Sequence, residues 1–442
     1  MQNKECSSSE QLLKIILLGI GLLFLYAGFG AFCNIQEVLL LSIKSDTVGF
    51  DGNLSSIQTI LAVSGSISTF LISFVITLIG TRPALVLGAI GHLIFVLSFL
   101  YPSDHLIYFC SVVNGFCGAL LSLSRSCYVS NLSQENTIVR NLTVLHLLMN
   151  LSMFPGNLFV FLQFERTEYL DKSNRQLIIL VLVAMMLTGI FLIAFIESPK
   201  RPKDESTSDE TIMCVKTFQD MAHMFFHEDF IPLYSVIFAL ALVFVLGSNV
   251  GASIGFIRNV GHNPKKYIPL SGIAFGIGSF IGGLIPFTFK EEQRRIQLKT
   301  VIIVGFIAIN ISLWVTFLSF PNITLLNDAS SSGIIKTNFP LILLILFMLG
   351  IGDFCMGLGL NTIISTKFGA KSEISFAVCN ILLGACMALA FYGSTCITLY
   401  FQITLAAVLV MIASATLMNA LICKVHNSEV RATQGKTQGE ED

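Results

Sequence analysis

Residues 197–230 read ESPKRPKDESTSDETIMCVKTFQDMAHMFFHEDF, the most charged internal stretch of the chain. What lies on either side of it decides the fold. A helix needs about 20 mostly apolar residues to cross a bilayer core. Before the stretch, runs of that kind fall at 12–34, 56–80, 83–101, 106–126, 143–163 and 176–196. After it they fall at 231–257, 268–289, 300–320, 340–361, 374–399 and 402–423. The expected organisation is a tail over 1–11, a six-helix bundle over 12–196, a linker over 197–230, a second six-helix bundle over 231–423 and a tail over 424–442.

Composition demands the same solvent. The 442 residues are 54% hydrophobic and only 12% charged, with a mean hydropathy of +0.79. A soluble domain carries about 25% charged residues. Six apolar helices, a polar link and six more is the layout of the major-facilitator fold with its repeated halves. The reading is an all-α polytopic membrane protein of twelve spans in two bundles. Placing the N-terminus in the cytoplasm puts 18 of the 26 Lys and Arg residues on the inner side and 8 outside. The positive-inside rule therefore predicts both termini inside.

Within the linker, KRPKDESTSDE is polar and reads as disorder. Phe218, Met221, Ala222 and Phe225 then recur at helical spacing, predicting an amphipathic helix on the inner membrane surface. The tail HNSEVRATQGKTQGEED also reads as disorder. Most of the 11 cysteines sit in apolar runs, as packing residues do, and none shows zinc-ligand spacing. No nucleotide-binding, hydrolase or metalloprotease motif appears, so no catalytic residue, metal or cofactor is expected.

Polar residues inside spans carry the functional information. Asp353 lies mid-span in FMLGIGDFCMGLGLN. A carboxylate at the bilayer centre costs about 2.5–3.5 kcal/mol on insertion scales, so it must face a cavity, a partner or a proton. With Asn361, Asn114, Asn157 and His146 it forms a candidate central polar site, to which His92 and further amides could contribute. No comparably central Lys or Arg is evident as its partner. Gly247, Gly251 and Gly255 form a double GxxxG, and Gly272 and Gly276 repeat the spacing in the next span. Such residues let helices approach closely. Pro155 and Pro286 are expected to kink their spans. Of the N-glycosylation sequons, Asn53 and Asn322 fall outside on this topology.

Three stretches in order resemble the Unc-93 (uncoordinated-93) family, a branch of the major facilitator superfamily. They are FGAFCNIQEVLLLSI with GFDGNLSS after it; NGFCGALLSLSRSCYVSNLSQENTIVRNLTVLHLLMNLSMFPGN, with the Gly156–Asn157 pair; and LGIGDFCMGLGLNTIISTKF, with Gly350, Gly352, Asp353, Asn361 and Thr362. Two departures stand out. Ser122, Arg125 and Ser126 occupy places where the family often has Trp and a Gln-Gly pair, ahead of Tyr128. The loop between spans two and three is only GTRP, without the acid that helps gate major-facilitator transporters.

The resemblance implies a regulatory partner of membrane proteins. Nematode-type members act on potassium channels, and a vertebrate branch escorts Toll-like receptors. The expectation is therefore a multi-pass accessory protein of the plasma membrane that sets the activity or trafficking of a potassium channel or another membrane protein. The alternative is a secondary transporter of a small solute, cation-coupled through Asp353. An open polar centre would favour the transporter, and a tightly packed one the accessory protein.

Overall fold

The computed structural model describes residues 8–134, 137–166, 170–197, 210–254, 264–288, 294–322 and 333–438. Fourteen helices follow in order: α1 (Ser8–Asp46), α2 (Leu54–Ile79), α3 (Thr81–Ser98), α4 (Asp104–Leu132), α5 (Ile138–Leu151), α6 (Met153–Arg166), α7 (Lys172–Ala194), α8 (Glu210–Phe225), α9 (Tyr234–Ser253), α10 (Ile268–Leu284), α11 (Arg294–Ser319), α12 (Phe339–Phe368), α13 (Ser372–Cys396) and α14 (Leu399–Gln438). Twelve helical segments are long and apolar enough to cross a membrane, with α5 and α6 together forming the fifth. Each of the twelve apolar runs coincides with one of these segments over most of its described residues. Disorder expected for the tail gives way to helix, because the backbone of α14 continues to Gln438.

Local chemistry starts and breaks these helices. Asn53, Asp171 and Asn338 stand in extended backbone and accept from the amides of Ser56, Asn174 and Leu341, capping α2, α7 and α12. Pro155 has no N–H to offer the carbonyl one turn back, and the fifth span breaks at Ser152 between α5 and α6. Pro286 acts similarly in the eighth span: α10 ends at Leu284 and a 3₁₀ turn runs Ile285–Thr288. The first span is longer than its apolar run suggested. Gln36 and Glu37 do not stop α1, because Val38, Leu39, Leu40 and Ile43 continue a buried face beyond them.

The two halves repeat one packing plan. In the first, α1 packs on α7, α3 and α2 on α4, and α3 on α7. In the second, α9 packs on α14, α11 and α10 on α12, and α11 on α14. Backbones come closest at glycines. A side chain at Gly28 would strike the Leu182 carbonyl, one at Gly115 the Leu61 carbonyl, one at Gly278 the Phe347 carbonyl and one at Gly350 the Phe275 carbonyl. Gly247 and Gly251 meet only side chains, of Leu349 and Ser271, so this GxxxG run is not where backbones touch. Gly255 lies outside the described residues.

The halves meet along two seams, α2 against α13, and α5 and α6 against α10. These seams correspond under the repeat. In the first, Ser66 donates to the Ile381 carbonyl at 2.6 Å. In the second, Gly272 faces the side chains of Asn34 and Asn157, and Gly276 faces Met153. We call the end of the bundle holding the start of α1, the α8 helix and the end of α12 basal, and the opposite end apical. At the basal end α8 lies across α2 and α13. Met221 and Met224 are buried, and Phe218 and Phe225 stack near Phe70. The predicted stripe is displaced, with Met224 inside and Ala222 exposed.

Candidate functional site

Helix α12 carries Asp353, Gly357 and Asn361 on one face, one turn apart, and the neighbours show where that face looks. Leu349, to one side, meets Gly247 of α9. Cys355 and Gly352 face α11 through Gly305, and Ile351 faces α10 through Gly282. Phe354, to the other side, meets the His146 ring of α5 edge-on at 6.2 Å. A side chain at Gly357 would meet nothing within 4 Å. The face therefore opens onto the space between the halves. Asp353 and Asn361 are half-buried on it. No hydrogen bond or ion pair reaches the Asp353 carboxyl among the described residues.

The first half supplies the opposing wall. Arg125 rises from α4, on the side flanked by Gly118 and Asn114, and is half-buried. The one hydrogen bond described for its guanidinium goes to the Met149 thioether of α5, at 3.4 Å. Sulfur of this kind is a weak acceptor. Tyr26 of α1 and His146 of α5 lie within electrostatic reach of Arg125. His146 Nδ1 bonds the Leu142 carbonyl at 2.8 Å. A carbonyl only accepts, so Nδ1 holds a proton, and in the neutral ring Nε2 keeps its lone pair.

Behind this wall sits a second polar group. His92 of α3 bonds Asn114 of α4 through Nδ1, and Phe29 stacks on the imidazole at 4.1 Å, with planes 3° apart. Both polar residues are buried, and the Asn114 Nδ2 has no partner among the described residues. Asn157 lies elsewhere: it accepts from Asn34 Nδ2 at 2.9 Å inside the seam against α10. The five polar residues read from the sequence thus separate. Asp353, Asn361 and His146 border the inter-half space, Asn114 backs it, and Asn157 belongs to a seam.

Arg125 is not among the polar residues that the sequence singles out, although it stands in the apolar run GFCGALLSLSRSCYVSNL, where a lone charge is itself a signal. Of the sequon residues, Asn53 caps α2, and Asn322 Oδ1 accepts from the Tyr400 amide at the start of α14. The described cysteines are all free. Among the described residues no three His, Cys, Asp or Glu side chains gather where they could hold a metal ion.

The fold and the sequence both have relatives. FucP, a major facilitator superfamily transporter solved in the outward conformation, superposes with a TM-score of 0.64 over 93% of this chain and 99% of its own, at 12% identity. A POT family transporter in complex with 5-aminolevulinic acid gives a TM-score of 0.63 over 95% and 97%, at 14% identity. At such identities the likeness is one of fold. The UNC93-like protein MFSD11 of Xenopus laevis is 23% identical over 419 residues, covering 90% of this chain and 94% of the relative. UNC93-like protein 3 of Arabidopsis thaliana is 23% identical, covering 89% and 82%. The family model described as "Ion channel regulatory protein UNC-93" matches residues 51–418. The chain belongs to the UNC-93 family, built on the twelve-helix major-facilitator fold.

Proposed function

We propose that this chain is a secondary carrier of a small polar solute, which binds between the halves and crosses as the two bundles rock about it. One observation carries this reading. Asp353 stands beside the open space at Gly357 with no described polar partner, and Arg125 of the opposite half holds only a thioether. Charges inside a membrane are costly, and one without partners is by default read as marking a solute or ion path. The carrier reading reverses the preference drawn from sequence, and what supports it is the space that Gly357 leaves beside Asp353 on α12.

The test is uptake into proteoliposomes of a defined mixture of amino acids, sugars, small carboxylates and small amines, followed by mass spectrometry, with and without an inward proton gradient. Accumulation above protein-free vesicles, lost in Asp353→Asn, is the expected result. Uptake by the variant that no longer responds to the gradient would assign Asp353 to coupling. Equal contents in protein-containing and protein-free vesicles would end the carrier reading.

A second reading has its own support: an accessory protein that regulates the activity or trafficking of a potassium channel or another membrane protein. The family description names ion-channel regulation. The GTRP loop lacks the usual acid, and Arg82 donates to the Ala194 carbonyl within its own half. A single channel recovered at near-stoichiometric yield from native membranes would favour it. On either reading we place the protein in the plasma membrane with both termini in the cytoplasm, and Asn53 and Asn322 on the glycan-accessible side.

A further inference from the structure

We propose that the solute taken between the halves is amphoteric, with an anionic carboxylate-like group held by Arg125 and a cationic ammonium held by Asp353. This deepens the carrier reading and rests on it.

The argument starts from what each charge lacks. The Arg125 guanidinium presents five N–H donors in a planar fork suited to a carboxylate. Its described bond uses one of them, on a thioether. Asp353 accepts only, and no donor among the described residues reaches it. Each group by itself would favour an ion of opposite sign. Together they sum to zero charge, which changes the selection. A simple anion drawn to Arg125 enters a site that also holds a carboxylate, and a simple amine meets the guanidinium. A solute carrying both charges satisfies both walls with no like-charge penalty.

The surroundings fit the same class. Phe354 offers ring surface next to Asp353, and the neutral His146 ring against it offers Nε2 as a further acceptor for an ammonium N–H. Gly357 leaves room directly beside Asp353. Because the two charges belong to different halves, a bridging solute also links the halves, which ties occupancy to their closure.

The experiment uses the full chain in nanodiscs, with thermal unfolding and equilibrium binding read for four probes of similar size: alanine, propionate, propylammonium and propionamide. Leucine and glycine betaine extend the amphoteric set. Wild type is expected to respond to the amphoteric probes alone. Arg125→Gln and Asp353→Asn are each expected to raise the half-saturating concentration by roughly tenfold or more, the scale of one charge-assisted hydrogen bond. Arg125→Lys and Asp353→Glu, which keep the charge, are expected to recover part of the response and to control for misfolding.

Binding of propionamide, unaffected by either neutralised variant, would overturn the inference and leave the carrier reading standing. A response to none of these probes, together with no uptake of any solute in proteoliposomes, would overturn both. Solute-free destabilisation of each single variant that is reversed when Arg125→Asp and Asp353→Arg are combined would also overturn it, since the two charges would then pair directly.

Discussion

At the scale of single residues, a buried charge is informative only through its partners. Arg175 shows the case in which the partners explain everything. It is 3% exposed at the start of α7, yet its Nη1 bonds Asp46 Oδ2 at 2.9 Å and Ser42 Oγ at 2.7 Å, fastening the apical ends of α1 and α7. Removing one member of a buried ion pair costs about 3–5 kcal/mol. Asp46 is one-third exposed, so Arg175→Met should fall toward the lower end of that range, seen as a lowered Tm in detergent with solute binding kept. A Tm equal to wild type would show that the pair contributes nothing. Arg125 and Asp353 differ because no such partners surround them. That contrast is invisible in sequence. Asp353 was legible because an acid in FMLGIGDFCMGLGLN has no apolar explanation. Arg125 lies only seven residues before the end of α4, where the length of the apolar run does not separate a snorkelling cation from an inward-facing one. Asn114 and Asn157 looked alike in sequence, and only the packing of α3 against α4, and of α6 against α10, assigns one to His92 and the other to a seam.

At the scale of elements, glycines of one helix do different work, and α12 allows a paired comparison. A side chain at Gly350 would run into the Phe275 carbonyl of α10, backbone that cannot rotate aside. Gly350→Leu should destabilise by about 1–3 kcal/mol or more through overpacking. Gly357 faces open space, and alanine is favoured over glycine in a helix by roughly 1 kcal/mol. Gly357→Ala should therefore leave Tm unchanged or raise it slightly, while lowering affinity if the space beside Asp353 is where the solute sits. Equal Tm losses in the two variants would refute the assignment. The basal end of the same helix offers a pH test. Lys367 bonds Asp229 at 2.8 Å, tying the end of α12 to the segment before α9, and this hydrogen bond holds the Asp229 carboxyl below its ordinary value of 3.8. A lowered folded-state pKa means that the contribution is fully present above about pH 4 and is lost as pH falls through the folded value. The pair is largely exposed, so it is worth at most about 1 kcal/mol. Asp229→Asn should remove a small acid-side decline in stability and leave the curve at pH 7 lower by no more than that, measured by chemical denaturation between pH 3 and pH 7.

At the scale of the whole molecule, the architecture was the most legible feature. Its signal is repeated twelve times: each span needs its own apolar run, and the polar link at 197–230 divides them evenly. Length was read less well, because helix α1 continues past Asn34, Gln36 and Glu37 wherever neighbours bury its flanks. The seams between halves were not legible, since the spacing of Gly247 and Gly251 is indistinguishable in sequence from that of Gly272 and Gly276. Only the latter pair touches the other half. Gly272 sits against the Asn34–Asn157 amide pair, so it is the position at which the apical closure of α10 on α1 and α6 can be tested directly. A leucine there cannot coexist with the amides in place, and the halves must part apically or the amide bond must break. Spin labels at Val48 and Ile334, both exposed at the apical end and on opposite halves, would read the result. Gly272→Leu is expected to shift their distance distribution to longer separations, with solute binding weakened because Arg125 and Asp353 no longer share one ligand. A distribution unchanged from wild type would mean that the α6–α10 seam does not control apical closure. In that event the rocking motion must be sought along α2 and α13, where Ser66 holds the Ile381 carbonyl and α8 spans both helices.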